Sequence, residues 1–447
     1  MADHHAAAFP RHPTPLRLGV FFDGTGNNFC NSLRADDNPA AADTRQGSYA
    51  NAPSNVALLH QLYPTGCAEL PDGALRHCFK LYVEGIGTTR GAQDSLYHQL
   101  TGRGSTGVKA RVAQAVRAIV EQLLGWRQAY PGGRTVKLEF DLFGFSRGAA
   151  AARHLVNDLR LGEKSQLAQA LASLALRCEI TIEFVGLFDT VAAIVAPLKG
   201  NFSPANGRYS GLRLGLEPGV AKQVVQLVAG DERRYNYPLV RTEHDIVLPG
   251  VHSDIGGGYP ERSVERVLLS KPQSNRLPLR TPVTQSRAYA LAQAQLQCEY
   301  SDSPAPRPTV ITWEIPAGGG RRELPEKQVY AALQREREVC GHLSRIYLRI
   351  MHALAVRSGV PFAELDEARQ AWRLPQALHE ISRKLHAFAL GRTAQPGLTE
   401  EEQQLLQGRY IHASAHWNPL KGLRNSILDL TYIDRPAEGG RAVHANR

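Results

Sequence analysis

The sequence predicts an α/β protein built on a mostly parallel sheet flanked by helices, with a helical cap or subdomain towards its C-terminus. Two observations carry this. From residue 16 to about 260, short apolar runs alternate with helix-like segments, and the runs end in glycine-rich or polar loops. Parallel strands need crossover connections, usually helices, so this alternation is what a parallel sheet leaves in a sequence. The second observation is the pentapeptide Gly144-Phe145-Ser146-Arg147-Gly148, between an apolar run and an alanine-rich stretch.

Leu16-Arg17-Leu18-Gly19-Val20-Phe21-Phe22 reads as the first strand and runs into Asp23-Gly24-Thr25-Gly26-Asn27-Asn28, all turn residues. A second strand covers Phe79 to Val83 and closes on Glu84-Gly85-Ile86-Gly87-Thr88. Val108, Val112, Val116, Ile119, Val120 and Leu123 then share one face at helical spacing. Val136 to Phe143 alternates like a strand before turning wholly apolar, and Ala149 to Val156 has high helix propensity. Further strands are expected over Glu179 to Phe188, Val224 to Val228 and Asp245 to Leu248.

The domain reading is a flexible N-terminus over 1–15, a catalytic core over 16–270 and a linker or mobile loop over 271–328. A helical cap returning to the core follows over 329–434, then a disordered tail over 435–447. The linker is inferred from Pro, Arg, Ser and Gly content and from Gly318-Gly319-Gly320. The cap is inferred from Leu374, Leu378, Ile381, Leu385 and Phe388, which fall at three- and four-residue steps.

G-x-S-x-G between a strand and a helix is the nucleophile elbow of α/β-hydrolases. The turn strains the serine backbone, and the flanking glycines keep side chains out of the bend. Ser146 is therefore the candidate nucleophile. Such a serine needs a base and an orienting acid, which in this fold follow it in the order acid, then His. Asp189 ends the next strong strand and is the candidate acid. His252, just past Asp245 to Leu248 in the loop opened by Pro249-Gly250, is the candidate base. His412 is a rival base that a long insertion could bring to the same edge, and Asp254 a rival acid, although its place two residues from His252 suits loop shaping. The oxyanion donors are expected to be the backbone of Arg147 and of Gly24 or Thr25. Two glycine-rich stretches are discounted. Gly102 to Gly107 lacks the Lys-Ser/Thr pair of a phosphate loop, and Gly256-Gly257-Gly258 lacks dinucleotide context.

At 447 residues, 43% hydrophobic and 21% charged, the composition is that of a globular protein able to bury a large core. No apolar run approaches a membrane span, and the first residues have no signal-peptide core, so synthesis in the cytosol is expected. The six cysteines include no C-x-x-C pair, so neither a zinc site nor a disulfide scaffold is indicated, and no metal or cofactor is expected. The formal charge of +10 suits nucleic acid, anionic lipid headgroups or a merely solvated surface. No nucleic-acid-binding motif accompanies it, so no nucleic-acid partner is expected.

With these segments in view, the chain resembles the α/β-hydrolase family that includes the bacterial type VI secretion phospholipase effectors. The matching pieces are Phe21 to Asn27, Tyr82 to Thr88, Gly144 to Ala149, Leu187 to Val191, Asp231 to Arg234 and Pro249 to Tyr259, in the family's order. The resemblance implies a triad on Ser146, Asp189 and His252 and hydrolysis of membrane phospholipid esters. It implies delivery by a contractile secretion apparatus, on a spike or tube protein, to the target-cell periplasm or membrane. A cognate immunity protein would protect the producer. Well-studied members are often longer, with added membrane-docking regions. Two other readings stand beside this one: a housekeeping esterase on small soluble esters, and a noncatalytic binding or adaptor protein that keeps the fold.

Overall fold

The computed structural model describes residues 15–36, 47–69, 75–89, 107–130, 135–172, 177–192, 209, 211–301, 306–317, 325–419 and 432–447. Residues 1–14, expected to be flexible, and most of the discounted Gly102–Gly107 loop lie outside them.

The strands in chain order are β1 (Pro15–Phe22), β2 (Gly66–Glu69), β3 (Leu75–Val83), β4 (Thr135–Phe145), β5 (Arg177–Phe188), β6 (Gln223–Ala229), β7 (Leu239–Val240) and β8 (Asp245–Leu248). They continue with β9 (Ser263–Leu268), β10 (Gln273–Pro278), β11 (Thr309–Ala317), β12 (Glu326–Val339) and β13 (Val443–His444). The main sheet has the order β2-β3-β1-β4-β5-β6-β8. Every neighbouring pair in it is parallel except β2 with β3. The apolar runs of β1, β4 and β5 therefore form the centre of an α/β-hydrolase-like sheet, where strands are buried on both faces.

Alternation along these strands sorts the core into two layers. Leu16, Leu18, Val20 and Phe22 of β1, with Leu138, Phe140 and Leu142 of β4, pack on the helices Val108–Ala129, Arg147–Leu159 and Gln166–Ala172. Phe21, Phe143, Phe145, Phe184 and Phe188 face the other way, onto Asn55–Leu62, Leu343–Arg357 and His379–Ala389. In β5 the register against β4 shifts between Phe140 and Asp141. That shift lets Ile182 share a layer with Val185 and Leu187 despite the wrong parity.

Three expectations are corrected. Residues 271–328 are not simply a linker, because β10, the helix Arg287–Tyr300, β11 and the start of β12 lie there. β12 pairs antiparallel with β10, β11 and β9 in a second sheet. β10 is mostly polar, no residue of β10 or β11 is fully buried, and the helix packs Ala288 and Ala292 on Ala331 in a small cluster, so the apolar signal of this region is weak. Residues 329–434 likewise begin as strand rather than helix. Their helices then cover the second face of the main sheet instead of standing apart, and the stripe Leu378, Ile381 and Leu385 packs into that core. Finally, the tail from 435 is ordered and forms a two-stranded sheet of its own with β7. β13 pairs with β7, and the Asn446 side chain donates to the Leu216 carbonyl at 2.7 Å and accepts from its N–H at 2.8 Å. Backbone and polar bonds, not apolar burial, hold this tail, and composition rules read only the latter.

Candidate active site

β4 ends at Phe145 and the next helix starts at Arg147, leaving Ser146 between them with φ 59° and ψ −126°. Among the described non-glycine residues only Ser146 and Asp189 (φ 44°) occupy positive φ. Such backbone costs on the order of 1–3 kcal/mol and persists only where the surroundings enforce it. The glycines do part of the enforcing. A Cβ on Gly144 would stand 2.6 Å from Ala149 Cα, and one on Gly148 would stand 2.3 Å from the carbonyl oxygens of Phe22 and Asp23. The elbow helix thus starts hard against the loop that follows β1.

Asp189 follows β5, one strand over from the elbow. His252 opens the short helix His252–Gly256 behind β8. His252 Nδ1 lies 2.5 Å from Asp189 Oδ2. Burial alone would raise the Asp189 carboxyl. Arg441 and His252 overturn that and hold it well below the usual carboxylate range. An ionised carboxylate only accepts, so Nδ1 carries the proton and Nε2 presents its lone pair. Burial lowers the His252 pKa from its ordinary value, with Asp189 opposing. The imidazole is gripped by the Phe145 ring at 4.7 Å and, edge to face, by Tyr237 at 4.8 Å. Ser146, His252, Tyr237, Thr25, Asn27 and Tyr259 line one pocket.

The rival acid and base are brought together, but with each other. His412 Nδ1 lies 2.7 Å from Asp254 Oδ1, while Asp254 Oδ2 accepts the backbone N–H of His412 at 3.1 Å and of Val251 at 3.0 Å. Neither residue lines the pocket of Ser146. The His412 ring stacks at 3.6 Å on Tyr259, which does.

The expected oxyanion donors divide. Arg147 takes the first helical position after Ser146. The Gly24 N–H, however, donates to the Asp23 carboxylate at 2.6 Å, so it is committed to its own turn rather than aimed at a substrate. Thr25 lines the pocket, and its buried Oγ1 has no hydrogen-bond partner among the described residues. Asp23 also accepts from the Tyr82 hydroxyl at 2.5 Å. Burial pushes its carboxyl up to about 6, against hydrogen bonds from Ser54, Tyr82 and Gly24.

Three groups around the site are not among the candidate site residues read from the sequence. Glu232 accepts the backbone N–H of His252 at 3.1 Å and is itself held by Arg234 at 2.8 and 2.9 Å. Tyr237 packs on the imidazole and lies under the Arg234 guanidinium, 3.4 Å from the ring centroid. Arg441 pairs with Asp189 from the far end of the chain. The run Asp231-Glu232-Arg233-Arg234 is recognisable in the sequence, but Arg441 sits in a polar stretch with nothing to mark it.

Residues 158–280 match the family model described as type VI secretion system, phospholipase effector Tle1-like, catalytic domain. That span contains Asp189 and His252 and begins after Ser146. A solved structure of the Tle1 effector bound to the VgrG spike of the type VI secretion system is 27% identical. It superposes with a TM-score of 0.75, covering 98% of this chain and 94% of that one. An uncharacterized protein from Pseudomonas aeruginosa is 18% identical, with a TM-score of 0.42 over 86% of this chain and 52% of that one. No curated protein matches the chain. No helix among the described residues is long and apolar enough to cross a membrane.

Proposed function

We propose that this chain, which its family and structural matches support as a type VI secretion phospholipase effector, hydrolyses carboxylic esters of membrane phospholipid through Ser146, Asp189 and His252. The observation that carries the reading is the Asp189–His252 hydrogen bond, made by an imidazole that lines the same pocket as the strained Ser146. In this scheme the Ser146 hydroxyl attacks the ester carbonyl while His252 Nε2 takes its proton. Asp189 stays ionised and stabilises the imidazolium. The carbonyl oxygen becomes an oxyanion facing the Arg147 backbone and Thr25, and its collapse leaves an acyl group on Ser146. The imidazolium protonates the leaving alcohol. Water, activated by the same imidazole, then releases the fatty acid.

The spike partner of the similar effector suggests that a spike protein carries this chain out of the cytoplasm where it is made, to the target-cell periplasm or membrane. A cognate immunity protein in the producer completes the reading. The test is labelling by a fluorophosphonate, with the adduct mapped by mass spectrometry, alongside turnover of phospholipid vesicles and of short-chain soluble esters. An adduct on Ser146 with vesicle hydrolysis is expected. Absence of any adduct would favour a binding protein, and turnover of soluble esters alone a housekeeping esterase.

A further inference from the structure

Arg441 makes two parallel bonds to Asp189, Nη1 to Oδ1 at 2.8 Å and Nη2 to Oδ2 at 2.7 Å. Its Nε donates to the Tyr237 carbonyl at 2.6 Å, which fixes the plane of the guanidinium. Asp189 Oδ1 also accepts the Ala229 N–H at 3.0 Å, and Oδ2 receives His252 Nδ1. Four donors from three parts of the chain therefore saturate one carboxylate. It cannot rotate without breaking at least two bonds. Both partners are buried, so solvent screens the pair little.

We propose that Arg441 is a positioning residue for the hydrolysis: brought in by the C-terminal strand, it locks the Asp189 carboxylate in the orientation that holds His252 for Ser146. This rests on the triad reading above. Polar and backbone bonds, among them the Asn446–Leu216 pair, hold the delivering strand with little apolar burial. β13 is two residues long, Val443 is half exposed, and the neighbouring anchors are backbone pairs of Leu239 with Ala442 and of Arg241 with His444. These bonds place Arg441 beside Asp189, and the guanidinium then sets the carboxylate.

The charge balance around His252 gives a readout that a purely structural role would not move. Asp189 faces the imidazole from the end of β5, with Arg441 behind it. Glu232 and Arg234 face it from the turn after β6, beside the Tyr237 ring. Arg147 stands beyond the Tyr237 ring, so removing Arg441 leaves the two carboxylates with one cation fewer beside them, and the imidazolium forms more readily. A base that works when neutral then loses activity at a higher pH.

The experiment uses the full chain with Arg441→Gln, Arg441→Ala and Arg441→Lys. It reads the rate of fluorophosphonate labelling at Ser146, kcat and KM on a soluble ester against pH, and the Tm. Arg441→Gln is expected to slow labelling and kcat by about 10-fold or more, the scale on which orienting partners act, with KM little changed. Its acid limb should move to higher pH. Millimolar guanidinium ion should restore part of the rate of Arg441→Ala. Arg441→Lys, which keeps the charge and fills the space should the neutral variants not fold, should keep the limb but lose rate, because an ammonium cannot make the paired bonds. Folded variants with wild-type labelling and limb would overturn the proposal. So would a loss of rate with an unmoved limb and no rescue. Wild-type protein unlabelled at Ser146 overturns the triad reading itself, a result distinct from a labelled wild type with indifferent Arg441 variants.

Discussion

His412 and Asp254, either of which could have completed a site with Ser146, are 2.7 Å apart and bonded to each other. Asp254 also accepts the N–H of Val251, the residue before His252, and the ring of His412 backs Tyr259 in the pocket wall. This second pair braces the loop that carries His252, the proposed base. Asp254→Ala leaves two buried backbone N–H groups and one imidazole unpaired, and should cost on the order of 2–4 kcal/mol in a denaturant titration. His412→Ala should keep its Ser146 labelling. A folded His412→Ala that is dead while His252→Ala stays active would reverse the assignment of the base.

Ser146→Ala should abolish ester hydrolysis with the fold unchanged by circular dichroism, since only the attacking oxygen is lost. Asp189→Asn and His252→Ala should each lower kcat by about 10³-fold or more, because members of a triad act as a unit. Substantial turnover by Ser146→Ala would remove it as nucleophile.

The pH dependence has two signs. The His252 pKa is lowered by burial, so the neutral base should survive to a lower pH than an ordinary histidine would, and kcat/KM should hold below about pH 6.5. Burial is likewise the first influence on Glu232 and would raise its carboxyl. Arg234 outweighs it and holds the group well below its usual range. Glu232 thus stabilises the fold above its unfolded pKa, near 4, and that stability is lost as pH falls. Asp23, pushed up to about 6, acts oppositely: its contribution is present at low pH and lost as pH rises through 6. Tm measured against pH should show a shallower acid decline for Glu232→Gln than for wild type. Parallel curves would refute the linkage.

Gly148→Ala puts a methyl group 2.3 Å from the carbonyl oxygens of Phe22 and Asp23. The helix start must then withdraw from the loop carrying Thr25. A loss of about 1–3 kcal/mol is expected, with a larger proportional fall in kcat than in binding, because two parts of the site shift apart. A variant with unaltered Tm and kcat would show that this close approach does not matter.

With a formal charge of +10, turnover should be faster on anionic than on neutral vesicles at low salt. The advantage should shrink as the screening length falls towards about 10 Å near 0.1 M. Equal rates on both vesicle types at low salt would exclude electrostatic docking.

Much of this molecule was legible because its strongest signals are local. β1, β4 and β5 are long apolar runs buried on both faces, and the Ser146 turn is flanked by glycines with a steric reason to be there. The order Ser146, Asp189, His252 could be read because each candidate stands at or just beyond the end of a strand, and parallel strands bring those ends to one edge.

What the sequence determined by itself, then, is the parallel sheet, its elbow and the three residues the edge could gather. Tertiary structure alone decided the partners. It paired Asp254 with His412, committed the Gly24 N–H to Asp23, made strands of residues marked as linker, and set Arg441 on Asp189. Each of these is a polar bond or strand pairing between distant segments. Apolar periodicity records which face of an element is buried, whereas such bonds depend on which segments meet, and that appears only once the chain is closed.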